Sequence, residues 1–286
     1  MTPALPRRVG VVGLGLMGTS LARALKAADP AVRVQAVERR GEVRARAVEE
    51  GVADEAEAAP GAALAGCELA VLCTPVADIE ALLGPVSALL PDGAVLSDVG
   101  GAKERLVAVA ASAVRPGVAF VGAHPMFGGQ GGFAAARADL WRGGTVAVCV
   151  DGASDAAVER VASLHQALGA RVLRCSAAEH DAAVAAVSHL PYLVAGALAL
   201  AVREAGPLAE ALAGPGLRDA TRLAAFAFDI QGEVARRNGH LPAAARRLEG
   251  HLSRLLGAVA ASPEAARAAL EDARAARAAL YPEAPR

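Results

Sequence analysis

The fold is decided by residues 9–18, Val-Gly-Val-Val-Gly-Leu-Gly-Leu-Met-Gly. The first four residues form a short apolar run rich in valine, which is typical of a buried strand. Three glycines in the spacing Gly-x-Gly-x-x-Gly follow, and residues 19–25 continue as a helix-forming segment. A second apolar run, 32–37, ends at Glu38. The order strand, glycine turn, helix, strand and acid predicts a βαβ unit.

Each part of this unit has its own physical role in binding a dinucleotide. One glycine permits the tight turn, the next lets the backbone approach a pyrophosphate, and the third lets the helix pack against the strand. The helix N-terminus offers N–H groups to phosphates, and Glu38 can accept hydrogen bonds from a ribose diol. The alternative is an ordinary βαβ turn. The cofactor-binding residues expected here are Gly13, Leu14, Gly15, Leu16, Met17, Gly18, Glu38 and Arg39.

The identity of the cofactor depends on the residues around Glu38. A carboxylate at this position should repel a 2′-phosphate, which favours NAD. Arg39 and Arg40 follow directly, and they are the feature that would serve NADP. We therefore predict NAD, with NADP as the alternative.

Composition narrows the classes of partner. The chain has 286 residues, 54% of them hydrophobic but only 3% aromatic, and its net charge is −1. The length suggests two domains, and no basic field favours nucleic acid or anionic lipid.

Residues 182–202 lack charged residues and are long enough to span a bilayer. Ser188, His189, Pro191 and Tyr192 near the middle favour a bent helix within a soluble domain instead.

The cysteines and the first residues indicate a reducing compartment. The four cysteines have no Cys-x-x-Cys spacing, and Cys67, Cys73 and Cys149 lie in or beside apolar runs. We expect reduced core residues and no metal site. Residues 1–6 lack the features of a signal peptide, so we expect a cytoplasmic protein.

Strand-like and helix-like segments alternate up to residue 176. Further apolar runs at 68–73, 94–97, 118–121, 145–150 and 171–173 predict a doubly wound, Rossmann-type parallel sheet in a dinucleotide-binding domain, 1–176. Residues 177–286 contain no further strand-like run and predict an all-helical domain. Its apolar content exceeds what one monomer of that size usually buries, which predicts a homodimer through these helices. We also expect this domain to bind the substrate, through polar residues on its helices.

Ligands of open α/β sheets bind at the carboxyl ends of the strands. Thr74, Pro75, Asp98 and His124 fall at such ends, and the first three are expected beside the cofactor. The alternative for Thr74-Pro75 is an ordinary strand-ending turn. His124 is the acid–base candidate, because a neutral imidazole there can take a proton from a substrate hydroxyl. His180-Asp181 is interpreted as a helix-capping region, and His165, His240 and His251 as solvated.

The helical half supplies a second set of polar residues. Ser188 and His189 lie at a predicted helix bend, where they either meet internal partners or face the cleft. Arg222 follows the Gly-Pro-Gly turn 214–216 and can grip a carboxylate with two hydrogen bonds. Alternatively, the charged residues of this segment form a structural ion pair.

Taken together, these motifs resemble the prephenate and arogenate dehydrogenases of tyrosine biosynthesis. The resemblance covers residues 8 to about 240 and rests on the glycine loop, Asp98-Val99-Gly100 with Lys103, and the segments 122–126, 180–181, 188–191 and 216–222. It implies NAD-dependent oxidative decarboxylation of prephenate to 4-hydroxyphenylpyruvate. His124 would engage the ring hydroxyl. The substrate-binding residues would be Arg222, Ser188, His189, Gln130 and Tyr192.

Several positions depart from the family's pattern. Gly101 stands where a serine is frequent, segment 127–130 differs from the usual loop, and Tyr192 replaces a second histidine. Segment 224–229 replaces the usual Ser-Asp-Pro. These changes leave arogenate or a modified prephenate as alternative substrates. An imine or β-hydroxyacid reductase and a non-catalytic NAD-binding regulator are the other interpretations.

Overall fold

A computed structural model describes residues 5–129 and 131–281 of the chain. Its largest sheet has six parallel strands in the order β3-β2-β1-β4-β5-β6, the arrangement of a dinucleotide-binding fold. The strands are β1 (Arg8–Val12), β2 (Arg33–Val37), β3 (Glu55–Glu57), β4 (Leu69–Leu72), β5 (Val95–Asp98) and β6 (Ala119–Val121). The predicted doubly wound sheet is confirmed.

Helices cover both faces of this sheet. Neighbouring strand residues point to opposite sides, and both sides carry apolar side chains that must be buried. Val11 belongs to one buried apolar cluster and Val12 to the other. The helices of this half are α1 (Leu16–Ala28), α2 (Gly41–Glu49), α3 (Val76–Ser87), α4 (Glu104–Ala113) and α5 (Asp155–Ala167), with 3₁₀ turns at Ala62–Gly66, Gly132–Ala135 and Ala138–Trp141.

The last strands form a separate sheet, which the sequence pattern did not predict. β7 (Ala123–Pro125) pairs antiparallel with β8 (Thr145–Cys149), and β8 pairs parallel with β9 (Arg171–Cys175). Only Gly122 separates β6 from β7. The sequence pattern placed the runs 145–150 and 171–173, which form β8 and β9, in the first sheet, because apolar runs do not carry information on which neighbour they pair with. It did not predict β7. His124 therefore lies within a strand rather than in a loop.

The residues after β9 that the structure describes are helical. The segment to Gly239 contains α6 (Ala177–Val184), α7 (Leu190–Glu204), α8 (Pro207–Ala211), α9 (Pro215–Thr221) and α10 (Glu233–Arg237), with π-helical turns at Ala185–His189 and Phe228–Gly232 and a 3₁₀ turn at Arg222–Ala225. Ser176 and Glu179 form a capping box that starts α6.

The chain divides into two units, one that ends at Gly239 and one that starts at His240. The second unit consists of α11 (Leu241–Ala261) and α12 (Pro263–Leu280). This division differs from the domain boundary at 176/177, which stays a prediction. Within the described residues, one helical stretch, Ala177–Glu204, is long and apolar enough to cross a membrane by length and composition alone, and 22% of its most apolar window is buried.

Candidate active site

The glycine loop between β1 and α1 is shaped by steric limits. Gly13 has φ +96°, a backbone conformation that favours glycine. A Cβ on Gly18 would lie 1.9 Å from the carbonyl oxygen of Gly13, so only glycine allows α1 to pack this closely. A Cβ on Gly15 would meet no heavy atom within 4 Å. Gly15 therefore leaves open space in front of the N-terminus of α1, where no side chain caps the backbone N–H groups. That space suits a pyrophosphate.

We call the space beside this loop the nucleotide cavity; its volume is about 560 Å³. It is lined by six of the predicted cofactor-binding residues, Gly13, Gly15, Glu38, Arg39, Thr74 and Pro75. Leu14 and Gly18 are buried behind it, and Leu16 starts α1. Asp98 does not line it, because its fully buried carboxylate is paired with Lys103. A glycine loop, a helix N-terminus and an acid at the end of β2 fit a dinucleotide.

Glu38 is held firmly at the end of β2. Its carboxylate accepts hydrogen bonds from the backbone N–H of Leu14 (2.9 Å) and from both the backbone and the side chain of Arg40. Burial opposes ionisation of this carboxyl. The hydrogen bonds from Arg40 and Leu14 and the charge of Arg40 outweigh burial and lower the pKa of Glu38 from 4.5 to about 2. Glu38 is therefore an anion at neutral pH.

A second cavity, of about 340 Å³, contains three of the predicted active-site residues, and we call it the histidine cavity. His124, Ser188 and His189 line it. Met17, two positions after Gly15 of the nucleotide cavity, also lines it. The remaining lining residues are Val99, Gly101, Pro125, Met126, Phe127, Gly128, Gly129, Phe226, Ile230, Gln231 and Val234.

A chain of hydrogen bonds fixes the protonation state of His124. The Asp181 carboxylate accepts from the backbone N–H groups of Lys103 (2.8 Å) and Glu104 (3.0 Å). It also bonds His180 Nδ1 (2.7 Å), which must donate to the carboxylate. With both imidazoles neutral, His180 Nε2 is the acceptor and His124 Nδ1, 2.9 Å away, is the donor. This leaves Nε2 of His124 as the unprotonated nitrogen.

The free nitrogen of His124 is suited to accept a proton. A Cβ on Gly101, which lines the histidine cavity, would lie 3.5 Å from His124 Nε2. Burial, and the nearby charge of Lys103, hold the pKa of His124 well below 6.5. The pKa of Asp181 is also lowered, because hydrogen bonds from His180, Glu104 and Lys103 outweigh its burial. His124 is therefore a neutral proton acceptor that is connected through His180 to the buried Asp181 anion.

Two further contacts hold this chain in place. Lys103 Nζ pairs with the Asp98 carboxylate at the end of β5, and Asp98 also accepts from the backbone of Ala123 (3.2 Å), next to His124. Asn238 Nδ2 donates to the backbone carbonyl of Asp181 (2.7 Å) and lies 3.0 Å from His189 Nδ1. Burial lowers the pKa of His189, which keeps this ring neutral as well.

Several predicted residues do not line the histidine cavity. Arg222 starts an exposed 3₁₀ turn, and Tyr192 lies on α7 outside the lining. Gln130 lies outside the described residues. Phe226, Ile230, Gln231 and Val234 line the cavity instead. Phe226 falls within segment 224–229, where the sequence departs from the family's pattern, and that departure was the only signal for it. No sequence signal pointed to Ile230, Gln231 or Val234.

Two interpretations of histidines were wrong. His180 and Asp181 do not cap α6, because Ser176 and Glu179 do; both are buried and belong to the His124 chain. His165 is not solvated: it is 1% exposed and accepts a hydrogen bond from Trp141 Nε1 (2.9 Å). The capping motif Ser-x-x-Glu at 176–179 was visible in the sequence.

Comparison with known proteins adds an independent line of evidence. Residues 21–174 match the family profile described as "Prephenate dehydrogenase, nucleotide-binding domain", and residues 176–260 match "Prephenate dehydrogenase, dimerization domain". The arogenate dehydrogenase structure from Synechocystis superposes with a TM-score of 0.82 at 28% identity, over 94% of this chain and 98% of that chain.

Two curated relatives agree with these profiles. The prephenate dehydrogenase of Bacillus subtilis (strain 168) is 29% identical over 75% of this chain. This chain spans 59% of that relative's length. The cyclohexadienyl dehydrogenase of Zymomonas mobilis is 30% identical over 77% of this chain and 76% of its own length. Both profiles occur in order along the sequence, and the chain therefore belongs to the prephenate dehydrogenase family.

Proposed function

We propose that this protein oxidises and decarboxylates prephenate to 4-hydroxyphenylpyruvate with NAD, in tyrosine biosynthesis. The observation that carries this proposal is the hydrogen-bond chain from Asp181 through His180 to His124, which lines a cavity next to the glycine loop. With neutral imidazoles this chain leaves Nε2 of His124 free to accept a proton. Bound NAD would supply the hydride acceptor. The residues of the chain must then orient the substrate and manage the proton of its ring hydroxyl.

His124 is the residue that would accept this proton. As hydride leaves the hydroxyl-bearing carbon, the hydroxyl proton can move to Nε2 of His124. The imidazolium that forms is stabilised through His180 by the Asp181 anion. Once the ring carboxylate leaves as CO₂ and the ring becomes aromatic, the same proton can return to the phenol oxygen. Apolar side chains such as Met126 and Phe226 would pack against the ring.

A second candidate substrate, arogenate, is favoured by Gln231. The Oε1 atom of this side chain is buried and has no hydrogen-bond partner within residues 5–129 and 131–281. An unsatisfied buried acceptor costs about 1–3 kcal/mol. The amino group of arogenate is a donor, whereas the keto group that prephenate carries at this position is not.

Steady-state kinetics test both candidates. We expect NADH formation with prephenate and stoichiometric CO₂ release, and the ratio of kcat/KM for prephenate and arogenate ranks the substrates. Binding of NAD without turnover of either compound would contradict the enzymatic proposal and support a regulatory NAD-binding protein.

The assembly and the compartment are part of the same proposal. We propose a homodimer, supported by the match to the family's dimerisation domain and by exposed apolar residues on α7 such as Leu193 and Leu200. The cytoplasm remains the compartment that we propose.

A further inference from the structure

Arg40 binds the carboxylate that the ribose of a dinucleotide is expected to use. Its Nε donates to Glu38 Oε1 (2.8 Å), and its second guanidinium nitrogen donates to Oε2 (3.0 Å). The backbone N–H of Arg40 donates to Oε1 (3.0 Å), and that of Leu14 donates to Oε2 (2.9 Å). A carboxylate has about four acceptor positions. All four are therefore filled by the protein.

This arrangement sets a condition for binding a ribose diol. The diol needs acceptor positions on Glu38, and the two backbone donors are fixed, Leu14 by the glycine loop and Arg40 by the start of α2. Only the two side-chain bonds of Arg40 can be released without moving the backbone. Arg40 consequently competes with the ribose of NAD for the same carboxylate.

An acid at the end of β2 usually favours NAD over NADP, and the charges around Glu38 weaken that preference. The guanidinium of Arg40 neutralises Glu38, and Arg39 lines the same wall; Asp78 is the other charged residue of the lining. The Arg40 side chain is 48% exposed, so it can turn into the cavity. A guanidinium binds phosphate with two parallel hydrogen bonds. The repulsion that an unshielded Glu38 would exert on a 2′-phosphate is thereby offset.

We propose that Arg40 sets the choice between NAD and NADP in this protein and makes the nucleotide cavity accept both. The proposal rests on the proposed function only in requiring that this cavity binds a nicotinamide dinucleotide. In the NAD complex Arg40 releases Glu38 to the ribose diol. In the NADP complex Arg40 binds the 2′-phosphate and keeps Glu38 neutralised.

Calorimetric titration of the full chain with NAD⁺ and with NADP⁺ tests the proposal without any substrate. For the wild type we expect the two Kd values to lie within about tenfold of each other. In Arg40→Ala, the ratio of the NADP⁺ Kd to the NAD⁺ Kd should rise roughly ten- to hundredfold, the range expected for charge-assisted hydrogen bonds. Arg46→Ala is the matched control, because Arg46 lies on α2, pairs with Glu50 and does not line the cavity.

A double-mutant cycle separates loss of the phosphate ligand from loss of shielding. Glu38→Gln alone should weaken NAD⁺ and change NADP⁺ little, because Glu38 is already neutralised. In the Arg40→Ala background, Glu38→Gln should recover part of the lost NADP⁺ affinity. Arg40→Lys, which keeps the charge but not the fork, should fall between the wild type and Arg40→Ala.

The outcomes are distinguishable from failure of the proposed function. If NAD⁺ binds the wild type but the Kd ratio is the same in Arg40→Ala, the role of Arg40 is overturned while the dehydrogenase proposal stands. Wild-type discrimination against NADP⁺ of more than a hundredfold overturns it too. If neither dinucleotide binds the folded wild type, the cavity is not a dinucleotide site and both proposals fall.

Discussion

At the scale of single residues, His124 owes its chemical state to groups beyond its own ring. Asp181 orients His180, and His180 orients His124, so a buried carboxylate determines which nitrogen of the distant imidazole is free. This is the logic by which a third group orients a catalytic base. Burial and the neighbouring charges also hold the pKa of His124 below the ordinary histidine range. The base consequently stays neutral over the physiological pH range.

Replacing His124 tests this role. We expect His124→Asn to lower kcat by about 10²–10⁴, the range for loss of a general base. NAD⁺ affinity should not change, because His124 does not line the nucleotide cavity. His251→Asn, at an exposed histidine in α11, is the control. A loss of less than tenfold would contradict the assignment.

The direction of the pKa shift gives an expected pH profile for the wild type. Only neutral His124 can accept a proton, so kcat/KM should fall as pH drops through the pKa of His124. Because that pKa is depressed, the acid limb should lie below pH 6.5. A limb at or above pH 6.5 in the kcat/KM profile would be inconsistent with His124 as the base.

The sequence predicted some site residues and missed others for physical reasons. Gly13, Gly15 and Glu38 were predicted because backbone geometry ties each residue type to its position. Gln231 could not be predicted, since a π-helical turn, Phe228–Gly232, brings it to the histidine cavity and leaves no periodic signal. The role of Arg222 stays a prediction; the structure places it on an exposed turn.

At the scale of elements, the βαβ unit shows two different uses of glycine. Gly18 is required for packing, because a Cβ there would collide with the Gly13 carbonyl. Gly15 faces open space and lines the nucleotide cavity. One glycine therefore serves folding and the other binding, although the motif treats them alike.

A pair of variants separates these two uses. Gly15→Val should leave Tm nearly unchanged and abolish measurable NAD⁺ binding, because the side chain fills the space left for the pyrophosphate. Gly18→Val should lower Tm or prevent folding, because backbone must move to avoid a 1.9 Å contact. Differential scanning calorimetry with and without NAD⁺ measures both effects. Strong destabilisation by Gly15→Val would show that the loop is closed rather than open.

The strands that the sequence predicted and those that it missed differ in composition. Each predicted apolar run corresponds to one observed strand, as 68–73 does to β4. The predicted boundaries differ from the observed ones by a few residues at most. β3 consists of Glu-Ala-Glu at the sheet edge and has no apolar run. β7 contains His124 and Pro125, so it resembled a loop. β3 and β7 are strands because they form hydrogen bonds with β2 and β8, and their own sequences carry no strand pattern.

At the scale of the whole molecule, apolar surface remains exposed on the helices after β9. Leu193, Leu198 and Leu200 on α7 are 38–49% exposed in the single chain, and Leu208 and Leu212 are 73–75% exposed. A soluble monomer rarely exposes a large contiguous apolar patch. A second copy of the chain is the partner that we propose for this surface.

Leu200→Glu tests this interface. We expect a wild-type dimer by size-exclusion chromatography with light scattering, and a dimer Kd raised at least about tenfold by a charge in an apolar interface. Val48→Glu changes an equally exposed residue, on α2 of the nucleotide-binding half, and should leave the dimer intact. A wild-type monomer that partitions into lipid vesicles would instead support a membrane role for the stretch 177–204.

Folding stability should depend on His165. Burial lowers the pKa of His165 from 6.5 to about 4. The unfolded chain therefore binds one more proton between these values, so stability falls as pH drops from 6.5 to 4, by about 3 kcal/mol in total. His165→Gln, which retains an acceptor for Trp141, should flatten this dependence in urea titrations followed by circular dichroism at fixed protein concentration. Parallel curves for the two proteins would contradict the shift.

The contact between Trp141 and His165 also gives the protein an internal optical probe. Trp141 is the only tryptophan in the sequence, it is fully buried, and its ring stacks on His165 with an interplanar angle of 4°. Its emission should shift to longer wavelength only when water reaches the indole. The segment from Ala177 to the last residue has no tryptophan. Emission from Trp141 therefore reports melting of the nucleotide-binding half, and the difference between this signal and the loss of helical ellipticity measures how far the two halves unfold together.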